Sequence, residues 1–454
     1  MMNTVSRAII ILFLTLAAAG PLFPLGTTAP GAERLPLAFP ILDAPYNFSS
    51  GYSFPSMDQS LALCKNIAQV SHSLIIDGTG GLDQRGCVHF LVVAAFDYFY
   101  FYLPPGYAWL HEEWHRAVMG RRGIPSRNDV YDFDIFAESI AVSRVEDDDL
   151  VYLKRLHPAE MVRLHAAGNE AEIELTLAMR RDSFFSGRSP RYDLISWWMN
   201  LANAWAYVHL CTTSGADSDT DEANTADGAD MGRRDFTGLD FTAWVYDLFR
   251  PGEPYEARGV HPSGVGIDRY IKRSDLTGAE RSYLELQRNL FVLNFLSPQM
   301  FGLDRFLLRD PFTGRALSFN FAASHHLTCF GYDAAAHFFF REGDINLAVT
   351  LHQYAAESLH LPGIDVSLVR YRVDTPVASI YASATAALWL QPRDLLFHDG
   401  DARPGGLFKL ALTFPVTDRL ELYLQGGAKT RGWVAGIVYL EEAIQASAGI
   451  SLLW

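Results

Sequence analysis

The last eleven residues, Ile444-Gln445-Ala446-Ser447-Ala448-Gly449-Ile450-Ser451-Leu452-Leu453-Trp454, alternate between two chemically different sets. Counting back from Trp454, every second residue is apolar, whereas the residues between them are mostly small or polar. Successive side chains of a β-strand point to opposite faces of its sheet. The segment therefore predicts a strand with one apolar face, one polar face and a terminal aromatic residue.

The same two-residue period appears earlier in the chain. Apolar residues alternate with more polar ones over residues 345–351, 408–414 and 420–424. We expect about seven strands of roughly 9 to 13 residues from Ile345 to the end. Residues 311–454 are therefore predicted to form an antiparallel β-barrel or a barrel-like membrane region. A soluble sheet with one face in water gives the same alternation and stays open as an alternative.

Residues 20–310 have the period of an α-helix instead. Apolar residues recur at helical spacing in segments 57–76, 107–119, 158–181 and 196–211. A tract rich in aspartate at 212–232 interrupts this pattern, and we expect it to be a mobile, solvated loop. The predicted fold class is thus α+β, a mainly helical region followed by an antiparallel barrel or sheet.

Residues 1–19 have the pattern of a secretory signal peptide, because Arg7 precedes a nearly unbroken apolar run that ends in small residues. Export bears on the four cysteines, since disulfides form in oxidising compartments. These cysteines are Cys64, Cys87, Cys211 and Cys329. We expect one or two disulfides among them, and four buried free thiols are the alternative.

The charge balance narrows the class of partner. The chain carries 52 Asp and Glu against 37 Lys and Arg, a formal net charge of −15. A chain this acidic repels phosphates, so nucleic acid is not expected as a partner. The aromatic content of 13% indicates a membrane interface, where Trp and Tyr collect.

One pentapeptide, His111-Glu112-Glu113-Trp114-His115, indicates a chemistry. In a helix, His111 and His115 lie one turn apart on the same face, so both imidazoles can bind one Zn²⁺. Glu112, beside the first ligand, can take a proton from a water bound to that metal. Zinc needs a third protein ligand, and the pentapeptide does not supply it.

The pentapeptide and the later sequence Asn169-Glu170 together resemble the two ligand helices of gluzincin metallopeptidases, the thermolysin-like group. The resemblance implies Glu170 as the third zinc ligand and Glu174 as a second-shell carboxylate that braces a ligand histidine. It covers only these two short segments. Glu113 and Arg116 depart from the usual motif, since both put charges where uncharged residues are common.

Two further resemblances complete the expectation. The final strand with its terminal aromatic is similar to the C-terminal strand of bacterial outer-membrane barrels, which implies the cell envelope as location and membrane lipid as a partner. The pentapeptide after an apolar segment also resembles intramembrane site-2 proteases, with Asp304 as the implied third ligand. The expected function is a zinc-dependent peptidase of the bacterial cell envelope, acting on proteins or peptides. A non-catalytic outer-membrane channel with a fortuitous pentapeptide is the alternative.

Overall fold

In the computed structural model, the described residues are 34–50, 54–82, 88–133, 140–309, 314–376 and 378–454. The predicted signal peptide, residues 1–19, lies outside them. The described α-helices are α1 (Tyr46–Ser50), α2 (Met57–Gly78), α3 (Val88–Phe101), α4 (Tyr107–Arg121), α5 (Asp147–Leu156), α6 (Pro158–Ser186), α7 (Leu194–Cys211), α8 (Gly215–Asp227), α9 (Asp240–Phe249) and α10 (Gly278–Leu290). The described strands are β1 (Pro36–Ala44), β2 (Arg127–Asn128), β3 (Val142–Ser143), β4 (Phe306–Arg309), β5 (Ala316–Thr328), β6 (Gly331–Glu342), β7 (Ile345–Ala355), β8 (His360–Asp374), β9 (Ser379–Pro392), β10 (Ala402–Pro415), β11 (Leu420–Lys429) and β12 (Ala443–Leu453).

The four helices predicted from apolar periodicity are confirmed as α2, α4, α6 and α7. Local sequence explains where they begin and end. Ser56 caps α2 and forms a reciprocal capping box with Gln59. Pro158 stands in the first turn of α6, and Gly187 ends that helix in the left-handed conformation that glycine adopts at little cost. The 29-residue α6 is buried along most of its length and forms the central helix.

The prediction of a mobile loop at 212–232 was wrong, because most of the tract forms α8. Its acidic side chains are engaged by a neighbouring segment. The Tyr270 hydroxyl donates to Asp227, and the Ser274 backbone N–H donates to the Asp217 carboxylate at 3.1 Å. These tertiary contacts offset the low helix propensity of aspartate, which the sequence pattern alone could not reveal.

The large sheet is antiparallel, with ten strands in the order β1-β12-β11-β10-β9-β8-β7-β6-β5-β4. The alternating segments predicted as strands are confirmed in β7, β10, β11 and β12. Six described strands, rather than about seven, begin at or after Ile345. The first strand, β1, precedes the helical region and pairs with β12, so the sheet is not confined to residues 311–454.

The sheet is not closed into a barrel within the described residues, because β1 and β4 are its two edges and no pairing joins them. The expectation of a closed barrel is corrected accordingly. The reason lies in the helical region, which is inserted between these strands. It occupies most of the chain from Tyr46 to Phe301, and β4 has only four residues to offer as a partner.

Contacts at one end of the sheet join it to the helical region. Glu170 in α6 accepts a hydrogen bond at 2.9 Å from the backbone N–H of Gly436, which lies in the loop between β11 and β12. The Trp244 indole in α9 donates at 3.0 Å to the Thr328 carbonyl at the end of β5. One hydrophobic cluster includes buried residues of both parts. Helices and sheet therefore share a core.

Among the described residues, no helix is both long enough and apolar enough to cross a membrane. The expected disulfides are not formed by Cys64, Cys211 or Cys329, which are buried free thiols. Cys87 lies outside the described residues.

Candidate metal centre

The pentapeptide lies in the middle of α4, the most completely buried helix of the site. Every residue from Tyr107 to Gly120 is buried. His111 and His115 lie one turn apart, and their ring centroids are 5.0 Å apart. The prediction that the two imidazoles lie on one face of a helix is therefore confirmed.

A third potential ligand is Asp240, in the first turn of α9. Its Oδ2 atom lies 3.1 Å from His111 Nε2 and 3.4 Å from His115 Nε2. One ligand atom from each of the three residues falls within 4.8 Å of the others, and all three side chains are buried. Two imidazole nitrogens and one carboxylate oxygen form a donor set that zinc accepts, with a further position free for water or substrate.

Each histidine is also held through its other ring nitrogen. His115 Nδ1 lies 2.6 Å from the Leu164 carbonyl oxygen, which can only accept a hydrogen bond. His111 Nδ1 lies 3.5 Å from Glu172 Oε1. These partners favour a proton on Nδ1 and leave Nε2 of both rings facing Asp240. Metal-ligating histidines are commonly oriented in this way.

The site has room for the His111 ring because α6 carries glycine where it passes α4. A Cβ atom at Gly168 would lie 2.2 Å from His111 Nε2. At 100° per residue, Glu172 lies nearly above Gly168 on the same helix face, and Glu170 points roughly the opposite way. This geometry explains why Glu172 reaches His111 and Glu170 does not.

The structure brings Asp240, and not the predicted Glu170, to the two histidines, so the group that could hold a metal ion is His111, His115 and Asp240. Glu170 Oε1 accepts from Arg163 at 2.8 Å as well as from Gly436, deep in the core. Glu174, the predicted second-shell brace, instead pairs with His326 at 3.0 Å. An aspartate is the ligand type that the site-2 resemblance implies, but it stands at 240 rather than 304.

Glu113 and Arg116, the two residues that depart from the gluzincin motif, form an ion pair with each other. Arg116 Nη1 donates to both carboxylate oxygens of Glu113 at 2.6 and 2.7 Å, and Asn128 donates to the same carboxylate at 3.0 Å. These side chains are buried on the side of α4 away from the ligand pair. They stabilise the helix in its surroundings and leave the ligand geometry intact.

The electrostatics of the centre favour a bound cation. Burial acts to lower the pKa of His111, but hydrogen bonds to Asp240 and Glu172 raise it well above its usual range. Burial acts to raise the pKa of Asp240, and His115 and His111 lower it below its usual range. Burial raises the pKa of Glu112 well above normal; the His111 charge opposes this and the Asp235 carboxylate adds to it. The buried carboxylates of Glu112, Glu172 and Asp240 lie around two imidazoles, and a divalent ion would stabilise such an environment.

A second charged cluster, formed by His165, Asp247, Arg258 and Lys154, packs next to the candidate centre through Phe236. Phe236 packs between the His115 and His165 rings, with ring centroids 5.0 and 6.0 Å away. His165 Nε2 lies 2.8 Å from Asp247 Oδ2, in the same helix as Asp240. Asp247 also binds Arg258 at 2.7 Å and Lys154 at 3.0 Å. This cluster fixes α9 relative to α6.

Sequence reasoning missed Asp240 because no motif spacing points to it. It stands far along the chain from His115, in a helix whose position depends on long-range packing. The one local signal is Gly168, a glycine inside a long helix, which often marks a close approach by another group.

Fold and site together define an α+β protein with a buried His–His–Asp group that can hold a metal ion. Comparison with known proteins gave no match, since no protein-family model, no curated protein and no solved structure is significantly similar to the chain.

Proposed function

We propose that the chain is a zinc-dependent hydrolase that cleaves peptide bonds. The observation that carries this proposal is the convergence of His111 Nε2, His115 Nε2 and Asp240 Oδ2, with Glu112 beside the first ligand. Metal-ligating histidines are commonly oriented by such second partners, and two imidazoles held in this way around a buried carboxylate support a metal centre rather than a channel.

Each residue has a role in the proposed reaction. His111, His115 and Asp240 would hold the ion, while Glu172 and the Leu164 carbonyl orient the two imidazoles. Zinc held by these residues would supply a Lewis acid that makes water more acidic and polarises a carbonyl. Glu112 accepts the proton that the attacking water loses and donates it to the leaving nitrogen. Burial raises the pKa of Glu112, which makes this carboxylate a stronger base than an exposed one.

The experiment measures zinc content and hydrolysis in the same preparations. Purified protein is expected to contain about one zinc per chain and to cleave members of a peptide library. Glu112→Gln should retain the metal and lose cleavage, because an amide cannot accept the proton. Glu285→Gln, at a partly exposed position of α10, is the matched control and should keep both properties. A Glu112→Gln protein that still cleaves would refute the assigned role, and a metal-free wild type would refute the proposal.

We also propose a membrane as the setting of this activity, based on the two faces of the sheet. The outward positions of β7 to β12 carry no Asp, Glu, Lys or Arg. One exposed outward residue from each strand illustrates this face: Leu351, Ile364, Leu388, Phe408, Leu424 and Ile444. The inward face holds polar groups, including the Arg370–Glu421 ion pair at 2.8 Å. Apolar outside and polar inside is the arrangement of a sheet that contacts lipid.

The ends of the strands carry the charges that this outer face lacks. At one end the turns contain Asp344 and Arg419, and at the other end Arg393 and Asp401 flank the connection between β9 and β10. The strands β7 to β12 have 10 to 15 residues, and a tilted strand of about 9–11 residues is enough to cross a bilayer core. Co-flotation of the full chain with phosphatidylcholine vesicles tests the proposal. Protein that stays in the aqueous fraction without detergent would refute it.

A further inference from the structure

The open gap between edge strands β1 and β4 is bridged by helices, starting at β1. The Asn66 side chain in α2 donates a hydrogen bond at 2.7 Å to the Ala38 carbonyl of β1. Next, α2 is fastened to α3 by His72, whose Nε2 lies 2.9 Å from Asp97 Oδ1. Both side chains are fully buried, so the two helices form a joined pair rather than a loose contact.

The bridge continues through α7 to the other side of the sheet. His72 Nδ1 lies 2.8 Å from Asp193 Oδ1 at the start of α7. Within α7, the Trp198 indole donates at 2.8 Å to the Met300 carbonyl in the 3-10 segment Pro298–Phe301. Just before it, the Leu296 carbonyl accepts at 2.8 Å from the backbone N–H of Ala323 in β5. A continuous path of contacts thus runs from β1 to β5.

This helical sector exposes apolar side chains to the outside. Helix α3 is the most apolar helix of the path, and it leaves Leu91, Val92 and Phe99 exposed. Val292 and Phe301, in the 3-10 segments that lead to β4, are exposed as well. Large exposed apolar patches often mark a surface that contacts a membrane or a partner.

We propose that α2, α3, α7 and the 3-10 segments 291–301 close the open sheet into a ring, and that acyl chains of a lipid bilayer contact the helical sector as well as the sheet. This inference rests on the proposed lipid contact of the sheet. A protein partner covers one side of a molecule, whereas exposed apolar side chains on both the sheet and the inserted helices match an occupant that surrounds it. The ring would be a wall made partly of strands and partly of helices.

Closure by helices also accounts for the buried polar contacts that fasten them. In lipid, a free sheet edge would leave backbone groups without partners, which is costly. Asn66 supplies a side-chain donor to the carbonyl of Ala38, and the Leu296 carbonyl accepts from Ala323 on the opposite side. Side chains and backbone of the helical sector therefore take over part of the role that a neighbouring strand plays in a closed barrel.

The test places a tryptophan on each sector and measures its quenching by brominated lipid. Phe408→Trp reports on the sheet, Phe99→Trp reports on α3, and both replace one exposed aromatic residue with another. Val260→Trp, at a site 70% exposed in the helical region outside the ring, is the control. The full-length variants are incorporated into phosphatidylcholine vesicles with and without bromine on the acyl chains.

The inference predicts that the emission added by Phe408→Trp and by Phe99→Trp falls by about half or more in brominated vesicles, while the emission added by Val260→Trp does not change. Quenching at 408 without quenching at 99 would overturn the closed ring and leave the lipid-facing sheet intact. Quenching at neither position would overturn both. The native Trp454, exposed at the end of the sheet, gives a check that needs no new side chain. Its removal by Trp454→Phe should lower the quenched fraction of wild-type emission.

Discussion

Replacement of Gly168 by alanine separates metal binding from folding. The new methyl group would lie 2.2 Å from His111 Nε2, and ordinary van der Waals contact begins at 3.4 Å, so the ring must retreat by the difference, 3.4 − 2.2 = 1.2 Å. Metal sites tolerate ligand displacements of about 0.2 Å. We therefore expect His111 to leave the ligand set and zinc affinity to fall at least about 100-fold. Because alanine favours a helix interior by about 1 kcal/mol over glycine, the fold should survive.

The assay is competition for zinc with a chromogenic chelator, alongside thermal unfolding of the metal-free proteins. Gly278→Ala is the matched control, since it also lies in a helix and its added Cβ meets nothing within 4 Å. Wild type and Gly278→Ala should bind zinc alike. Wild-type affinity in Gly168→Ala would refute the placement of His111 in the centre. A Gly168→Ala protein that unfolds before its metal is tested would refute the expectation that only the ring moves.

Three further outcomes follow from the charges around the centre. Asp247→Asn should lower the free energy of unfolding by about 3–5 kcal/mol, because Lys154 and Arg258 lose a buried partner; Asp374→Asn, at an exposed pair, should leave it essentially unchanged in the same denaturant titration. Burial acts to raise the pKa of Asp247, but Arg258 and Lys154 bring it well below its usual range. The charged Asp247 therefore contributes fully to the free energy of unfolding above its unfolded pKa of about 3.9, and this contribution is lost as the pH falls through the lower folded pKa. Below about pH 4, the free energy of unfolding of wild type should therefore fall more than that of Asp247→Asn. Zinc at about 100 times its dissociation constant should stabilise wild type by about 2.7 kcal/mol, seen as a rise in melting temperature that excess chelator reverses; an unchanged melting temperature would argue against a site in the folded state.

The sequence was most informative where structure depends on local periodicity. The alternation around Ile444 and Leu424 correctly gave strands, and their exposed side chains lie on the face that the pattern assigns to apolar residues. The helical spacing of His111 and His115 likewise needed no tertiary information. Both features depend on the periodicity of side chains within one helix or strand, and that periodicity can be read from neighbouring residues in the sequence.

Features that depend on long-range packing could not be predicted in this way. Asp240 joins the histidines through the placement of α9, which tertiary contacts such as those of Asp247 hold. Glu172, rather than Glu170, lies beside His111 for a related reason, because the helix face that meets α4 is the one that carries Gly168. Pairing of β1 with β12 joins opposite ends of the described chain, and no local signal specifies it.

The identity of the third ligand is the most direct test of the central claim, because sequence resemblance favours Glu170 and the structure favours Asp240. Zinc content per folded chain should be measured by mass spectrometry in wild type, Asp240→Asn and Glu170→Gln, with circular dichroism to show that each variant is folded. We predict about one zinc per chain in wild type and in Glu170→Gln, and a loss of most of it in Asp240→Asn. Full zinc in folded Asp240→Asn, together with its loss in folded Glu170→Gln, would contradict the His111–His115–Asp240 centre.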